Sequence, residues 1–411
     1  MSATNLPSEA PAPCSGASPC PNAKQRGWRR IVRNFTPSWF AVNMGTGITS
    51  ILLHNLPYNA RPVQYISYGI FGLNVVLFLT FLGISLTRYI VYPKVWTAMI
   101  NHPAQSLFLG TFPMGLATIV NMITFVCVPA WGGQWWRVAW GLWWIDAAIS
   151  VACCFALPFI LMAYQGQSMD SMTAAWLLPI VSTIVASSTG AIVADVIPAA
   201  HANLALITVI VSYILWATGV PLAMMVLTVY FLRLTTVSLP PNAVIPSTFL
   251  PLGPLGQGGF GIMQLGKVLV KIAPKVNILP AAAKAEEVIY VLGYMMGLIM
   301  WGFGLVWLGL AVATLLTRRS IPFNMGWWGF TFPLGVFAAS TTTLAAETPS
   351  EAFKVLGMIL SLSVVALWLL VVTRTVIHLF RGDLLVAPCL KQVEREEEEA
   401  ARRKLMGEGS C

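Results

Sequence analysis

The chain has 411 residues, of which 57% are hydrophobic and only 9% charged, against about 25% charged in a soluble globular domain. Its 24 basic and 15 acidic side chains are too few to cover a water-exposed surface of this size. The surface therefore faces lipid, and a soluble enzyme, a nucleic-acid binder and a disordered scaffold are excluded. The net charge of +9 is no signal for nucleic acid either, because Lys and Arg of a membrane protein collect in the loops of one side.

Taken in chain order, residues 1–33 read as a disordered cytosolic tail. Residues 1–23 are rich in Pro, Ser and Ala without the apolar core of a secretory signal, and Lys24, Arg26, Arg29, Arg30 and Arg33 form a basic patch behind them. A helix crossing a bilayer needs about 20 mostly apolar residues. Runs of that kind begin near residues 36, 64, 104, 135, 174, 203, 247, 285, 323 and 352, the seventh thick with Gly and Pro. The expected fold class is all-α integral membrane, with a ten-span domain over residues 34–382. Residues 383–411 follow as a charged cytosolic tail, in which KQVEREEEEAARRKL (391–405) reads as a solvated helix.

An even number of spans puts both termini on one side. With that side inside, 17 of the 24 Lys and Arg lie inside, as the positive-inside rule requires. Lys271, Lys275 and Lys284 break the trend: they follow the seventh run on the outer face. They read either as an anion-attracting outer mouth or as a solvated amphipathic loop. The stretch WGGQWWRVAWGLWW (131–144) holds six of the sixteen tryptophans, the pattern of an aromatic belt at the outer end of the fourth span. Cys127, Cys153 and Cys154 lie in apolar runs, and Cys14, Cys20, Cys389 and Cys411 in polar tails, so these are ordinary thiols rather than a disulfide framework.

The runs alternate in character. Odd runs carry small residues, hydroxyls, Gly and Pro, as in PSWFAVNMGTG (37–47) and LLPIVSTIVASSTG (177–190), whereas even runs such as VVLFLTFLGISL (75–86) are bulkier. Thr111-Phe112-Pro113-Met114-Gly115 is echoed by Thr331-Phe332-Pro333-Leu334-Gly335, and matching glycines stand at 45, 115, 190, 256 and 335. This is a helical hairpin repeated five times. Small residues on a membrane helix either admit a close neighbour or line a cavity, and Pro opens backbone carbonyls that protein or water must satisfy. The expectation is five hairpins, with the odd helices as an inner ring around a central pore and the even ones facing lipid.

The odd runs hold only Asp195 and Lys267 as ionisable residues, each near an end, and Asp146 is the one carboxylate near the middle of a span. Asp146 reads as a helix–helix hydrogen-bonding residue, and the path lacks an acidic proton relay. A solute would then be held by neutral dipoles: hydroxyls such as Thr46, the amides of Asn43 and Asn121, and helix ends. Such weak binding suits a small anion that must also leave. Gly256-Gln257-Gly258-Gly259-Phe260-Gly261 fits GxGxxG but has no strand before it, so a dinucleotide site is rejected. His54, His102, His201 and His378 fall at alternating ends and do not meet around a metal. No Walker motif is present, and neither an enzymatic activity nor a cofactor is expected.

NFTPSWFAVNMGTG (34–47), the paired TFPxG motifs and NMGWWGFTFPLG (324–335) resemble the tellurite-resistance/dicarboxylate transporter family, and within it the fungal sulfite efflux pump branch. The likeness spans about 34–382. It implies five hairpins around a pore, usually a homotrimer with one pore per subunit, and a plasma-membrane efflux transporter that exports sulfite and confers sulfite resistance. It also implies a phenylalanine plug on the ninth span: Phe332, or Phe330 if the register is off by two, with Phe112 facing it. Packing alone remains the other reading of these rings. A C4-dicarboxylate (malate) transporter or a gated anion channel of the same fold stays open as the alternative function.

Overall fold

The computed structural model describes residues 27–388 and 390, apart from 167, 277, 279–281, 283 and 319. The tail up to Arg26, Arg319, Cys389 and the charged stretch 391–405 lie outside the described residues. Every described element is helical. Ten long helices fall where the apolar runs stand: α1 (Phe40–His54), α2 (Arg61–Val91), α3 (Thr111–Met122), α4 (Trp135–Tyr164), α5 (Leu177–Val196), α6 (Ala202–Thr236), α7 (Leu252–Ile272), α8 (Ala285–Leu316), α9 (Trp328–Glu347) and α10 (Glu351–Arg381). Seven stretches are long and apolar enough to cross a membrane: the five even helices, Ser106–Trp131 around α3 and Ala174–Val196 around α5. The chain is therefore an all-helical, multi-pass membrane protein. Helices α1, α7 and α9 do not meet that measure, because α1 has 15 residues and the other two are diluted by Gly and hydroxyls.

Burial separates odd from even helices. In α1, 14 of 15 residues are buried, whereas α2 buries 6 of 31. Each even helix buries one stripe at three- and four-residue spacing, such as Ala205, Thr208, Ser212, Leu215, Gly219 and Ala223 on α6, and leaves leucines, valines and phenylalanines exposed on its other faces. That is the pattern of a helix with lipid on one side and protein on the other. The odd helices touch one another in a closed cycle, α1 on α3, α3 on α5, α5 on α7, α7 on α9 and α9 on α1. Every even helix packs on the odd helix before it and on the odd helix after it, α10 closing back onto α1.

The repeated glycines are where inner helices press together. A Cβ on Gly256 would stand 2.6 Å from the backbone of Phe337, so α7 and α9 approach at a distance that any larger residue would prevent. Three of the inner prolines do not open carbonyls, contrary to the sequence expectation. Pro113, Pro179 and Pro254 are the third residues of α3, α5 and α7, where the backbone N–H has no partner to lose. Pro333 alone lies inside an inner helix, because α9 starts three residues earlier relative to its TFPxG motif than α3 does. Each inner helix is entered through a short 3₁₀ segment: Pro37–Trp39, Ser106–Gly110, Ala174–Trp176, Asn242–Phe249 and Met325–Trp327. Beyond α3, Pro129 has no N–H for the Phe125 carbonyl, and the helix widens to a π-turn over Ile123–Cys127.

The tryptophan stretch is only partly a belt. Trp131 and Trp144 are exposed, but Trp136 and Trp143 are buried, and Trp143 donates its indole N–H to the Ala186 carbonyl at 2.8 Å. The same peg recurs from each even helix into the next odd one: Trp216 to Gly258 O at 2.9 Å, Trp301 to Thr341 Oγ1 at 2.9 Å and Trp368 to Thr46 Oγ1 at 3.1 Å. On α2 the amide of Asn74 takes this place, donating to Thr118 Oγ1 at 3.2 Å.

Both expected tails are partly built into the fold. Trp28–Asn34 is a short helix with Val32 and Asn34 buried, so that part of the expected disordered segment is ordered by packing. After α10 the chain folds back: Ala387 donates its N–H to Asn34 Oδ1 at 3.3 Å, and Ala387 and Leu390 are buried beside Val95 and Met99.

Candidate functional site: two cavities divided at Phe332

Among the described residues, two cavities within the bundle stand out. The first, about 440 Å³, is lined by the segments that open the five inner helices, including Ser38, Gln105, Thr111, Thr173, Ser247 and Asn324. Five helix N-termini thus surround it, each carrying up to about half a positive charge from its aligned peptides. Asp383 also lines it, paired with His378 Nδ1 at 3.3 Å. At its edge His102 Nδ1 accepts the N–H groups of Ala104 and Gln105 at 3.2 and 3.3 Å. Burial lowers the His102 pKa from its ordinary value, which agrees with a neutral ring in an accepting role.

The second cavity, about 290 Å³, is lined mostly by the C-terminal halves of the inner helices, with Gln257, Phe260, Phe332 and Val336 reaching it from nearer the starts of α7 and α9. Its polar wall is made of amides and hydroxyls, among them Thr118, Asn121, Gln257, Gln264 and Thr343, with Lys267 and Asp195 toward the ends of their helices. Phe332 is the one residue, among those described, that lines both cavities. Its ring is buried and bounds a void of about 10 Å³ walled by Met44, Met114, Leu178, Val181 and Leu250. A single water needs about that much room and polar partners as well, and this wall offers none. Directly after it, Pro333 has no N–H for the Gly329 carbonyl, so α9 lacks a helical hydrogen bond beside the ring.

The candidate residues divide sharply. Asn121 lines the second cavity, and its Oδ1 is buried without a hydrogen-bond partner among the described residues. Phe330 lines neither cavity and packs on Phe249 and Trp327. Phe112 does not face Phe332: it is wedged against Phe40 and Phe78, with ring centroids 5.0 and 5.4 Å away. The reason is helical register. On α3 it is Thr111 and Met114 that face the interior, so the two TFPxG motifs are turned by about one residue, roughly 100° at 3.6 residues per turn.

Asn43 and Thr46 also line neither cavity. Asn43 donates to Asn74 O and Oδ1 at 3.2 and 3.1 Å, and Thr46 accepts from Trp368, so both are spent on joints between helices. Asp146 is fully buried, but neither carboxylate oxygen has a hydrogen-bond partner among the described residues, contrary to its expected bonding role. Lys271 pairs with Asp195 at 2.7 Å and Lys284 with Glu287 at 3.8 Å, while Lys275 ends the turn after α7.

Sequence reasoning missed the polar face of α7. Gln257, Phe260, Gln264 and Lys267 recur at three- and four-residue spacing and all line the second cavity. That periodicity stands in the seventh run, where the Gly and Pro content masks it.

A multi-pass helical protein with a lipid-facing outer layer and internal cavities walled by neutral dipoles is of the transporter and channel class. Comparison with known proteins specifies it further: residues 34–376 match the voltage-dependent anion channel family, and the chain belongs to that family. It is 52% identical over 345 residues to the sulfite efflux pump SSU1 of Arthroderma otae, covering 84% of this chain and 91% of that protein. It is 29% identical to the sulfite efflux pump SSU1 of Candida albicans (80% and 71% covered) and 25% identical to the malic acid transport protein of Schizosaccharomyces pombe (86% and 80% covered). Within the family the chain stands with the fungal sulfite efflux branch.

Proposed function

We propose that this protein exports sulfite across the plasma membrane through a central path gated by Phe332. The observation that carries the gate is that one aromatic ring lines both cavities. The anion reading is supported by a wall of hydrogen-bond donors in which Lys267, the sole lysine there among the described residues, is matched by a carboxylate at 2.7 Å, and the sulfite reading by the 52% identical relative. All ten long helices cross the bilayer as five hairpins, both termini are cytosolic, and the protein is a homotrimer with one path per subunit. In that orientation the 440 Å³ cavity faces the cytosol and draws anions by its five helix N-termini. Asn121 lines the path beyond the ring, and Lys271, Lys275 and Lys284 stand around the outer mouth.

An apolar constriction stops ions by sterics and dewetting. Phe332→Ala should therefore raise passive anion flux several-fold in proteoliposomes and loosen selectivity among sulfite, malate, nitrate and chloride. Unchanged flux through a folded variant removes the gate. Malate carried in preference to sulfite by the wild-type protein would instead favour the dicarboxylate reading, for which the 25% identical relative speaks.

A further inference from the structure

We infer that Lys267 and Asn121 form an anion-binding site in the second cavity, with Glu347 as the residue that sets how tightly it holds. This rests on the anion-transport reading and names the groups that carry it. Lys267 is the only Lys or Arg in the lining of that cavity among the described residues. Its ammonium lies 2.7 Å from Glu347 Oε1, with the lysine side chain 40% exposed and the carboxylate 8%. An ammonium has three N–H donors, so the partly exposed lysine can serve an anion while the buried carboxylate keeps it in place. Tyr290 on α8 donates its hydroxyl to the other oxygen of Glu347, so the carboxylate at the end of α9 is fixed from a third helix.

Asn121 supplies the independent observation. It is only 5% exposed, lines the same cavity, and its Oδ1 has no hydrogen-bond partner among the described residues. A buried polar side chain without a partner is costly. Asn121 Nδ2 also donates no hydrogen bond among the described residues, so an anion held by Lys267 can accept from it, while the unpartnered Oδ1, an acceptor, can take the O–H of a protonated oxyanion such as hydrogensulfite. Asp195, the other charged group in the lining, is held by Lys271 at 2.7 Å. The lysine and its carboxylate together carry no net charge, so the site offers donors without a deep electrostatic well, as a path that must release its solute requires.

The test uses the full chain, measured both in proteoliposomes and by thermal stabilisation of the purified protein with sulfite, nitrate or chloride, a readout that needs no transport. Lys267→Gln should raise the half-saturating anion concentration about tenfold or more, the size expected for a lost bond to a charged group, and abolish anion stabilisation. Lys267→Arg should retain both. Glu347→Gln should act in the opposite direction, lowering the half-saturating concentration and the maximal flux together. If Lys267→Gln does not fold, the double variant Lys267→Gln/Glu347→Gln, which leaves no charge unpaired, should show the same rise. Half-saturation unchanged in these variants, with flux falling only in step with the folded fraction, means a mere staple between α7 and α9 and overturns the inference, as does wild-type protein that no anion stabilises. Wild-type protein that carries nitrate or chloride but not sulfite would overturn the sulfite reading alone, because the Lys267 effect is then read on the anion that is carried.

Discussion

Asn43 is the clearest case of a polar residue in an inner helix whose donors are used by its neighbours, although its Oδ1 is buried without a partner among the described residues. Its amide donates twice to Asn74, and Asn74 donates on to Thr118, so three side chains tie α1, α2 and α3 together. In a medium without water each lost bond leaves a buried polar group exposed to hydrocarbon or to nothing. Asn43→Leu is therefore expected to destabilise the protein by about 1–3 kcal/mol while leaving flux per folded molecule unchanged. Thermal unfolding followed by size exclusion, with flux normalised to the folded fraction, checks both halves. Pairing it with Asn74→Leu should cost less than the sum of the two, since both remove the bond from Asn43 Nδ2 to Asn74 Oδ1. Asn121 is of the same residue type, and its Oδ1 too is unpartnered, but its Nδ2 donates no hydrogen bond among the described residues and it lines a cavity. Composition does not distinguish the two; only the partner across the helix face does.

At the scale of elements, the outer helices are fastened forward by indole pegs. Trp216 on α6 donates to the Gly258 carbonyl on α7, a carbonyl left without its side-chain donor if the indole is shortened. Trp216→Phe should cost about 1–3 kcal/mol, whereas Trp144→Phe, at an exposed ring that donates no hydrogen bond among the described residues, should be close to neutral. A comparison of the two melting curves decides whether the tryptophans are pegs or belt. The helix positions and the alternation of buried and lipid-facing helices were legible in the sequence, because apolar length and small-residue content report directly on what a helix touches. Helix rotation was not. Phe112 and Phe332 occupy the same place in the same motif yet point to different surroundings, because α9 begins one turn earlier relative to its motif and is turned against α3. A one-residue rotation leaves no trace in composition. For the same reason Phe332 was legible as a cavity residue only through family resemblance, while Gln264 and Lys267 were present as a stripe that went unread.

For the whole molecule the question is how charge is arranged along the path. The lysines in the last turn of α7 and beyond it do not act as three free positive charges: Lys271 is matched by Asp195 and Lys284 by Glu287, and Lys275 has no ion pair among the described residues. Exposed charges more than a Debye length from the path, about 8 Å at physiological ionic strength, act weakly and fade with salt. Lys271 differs from Lys275 in what it restrains, since Asp195 lines the second cavity. Removing Lys271 leaves an unmatched carboxylate beside the departing anion, a repulsion that acts at close range and is screened far less. Lys275→Gln is thus expected to lower anion flux only at low ionic strength, with parity restored at high salt. Lys271→Gln should lower it at every ionic strength, and adding Asp195→Asn should restore most of the loss. Flux measured across a salt series for these three variants separates the contributions. Equal salt dependence for Lys271→Gln and Lys275→Gln would mean that the mouth acts only as a diffuse positive field, with no role for the Asp195 pair.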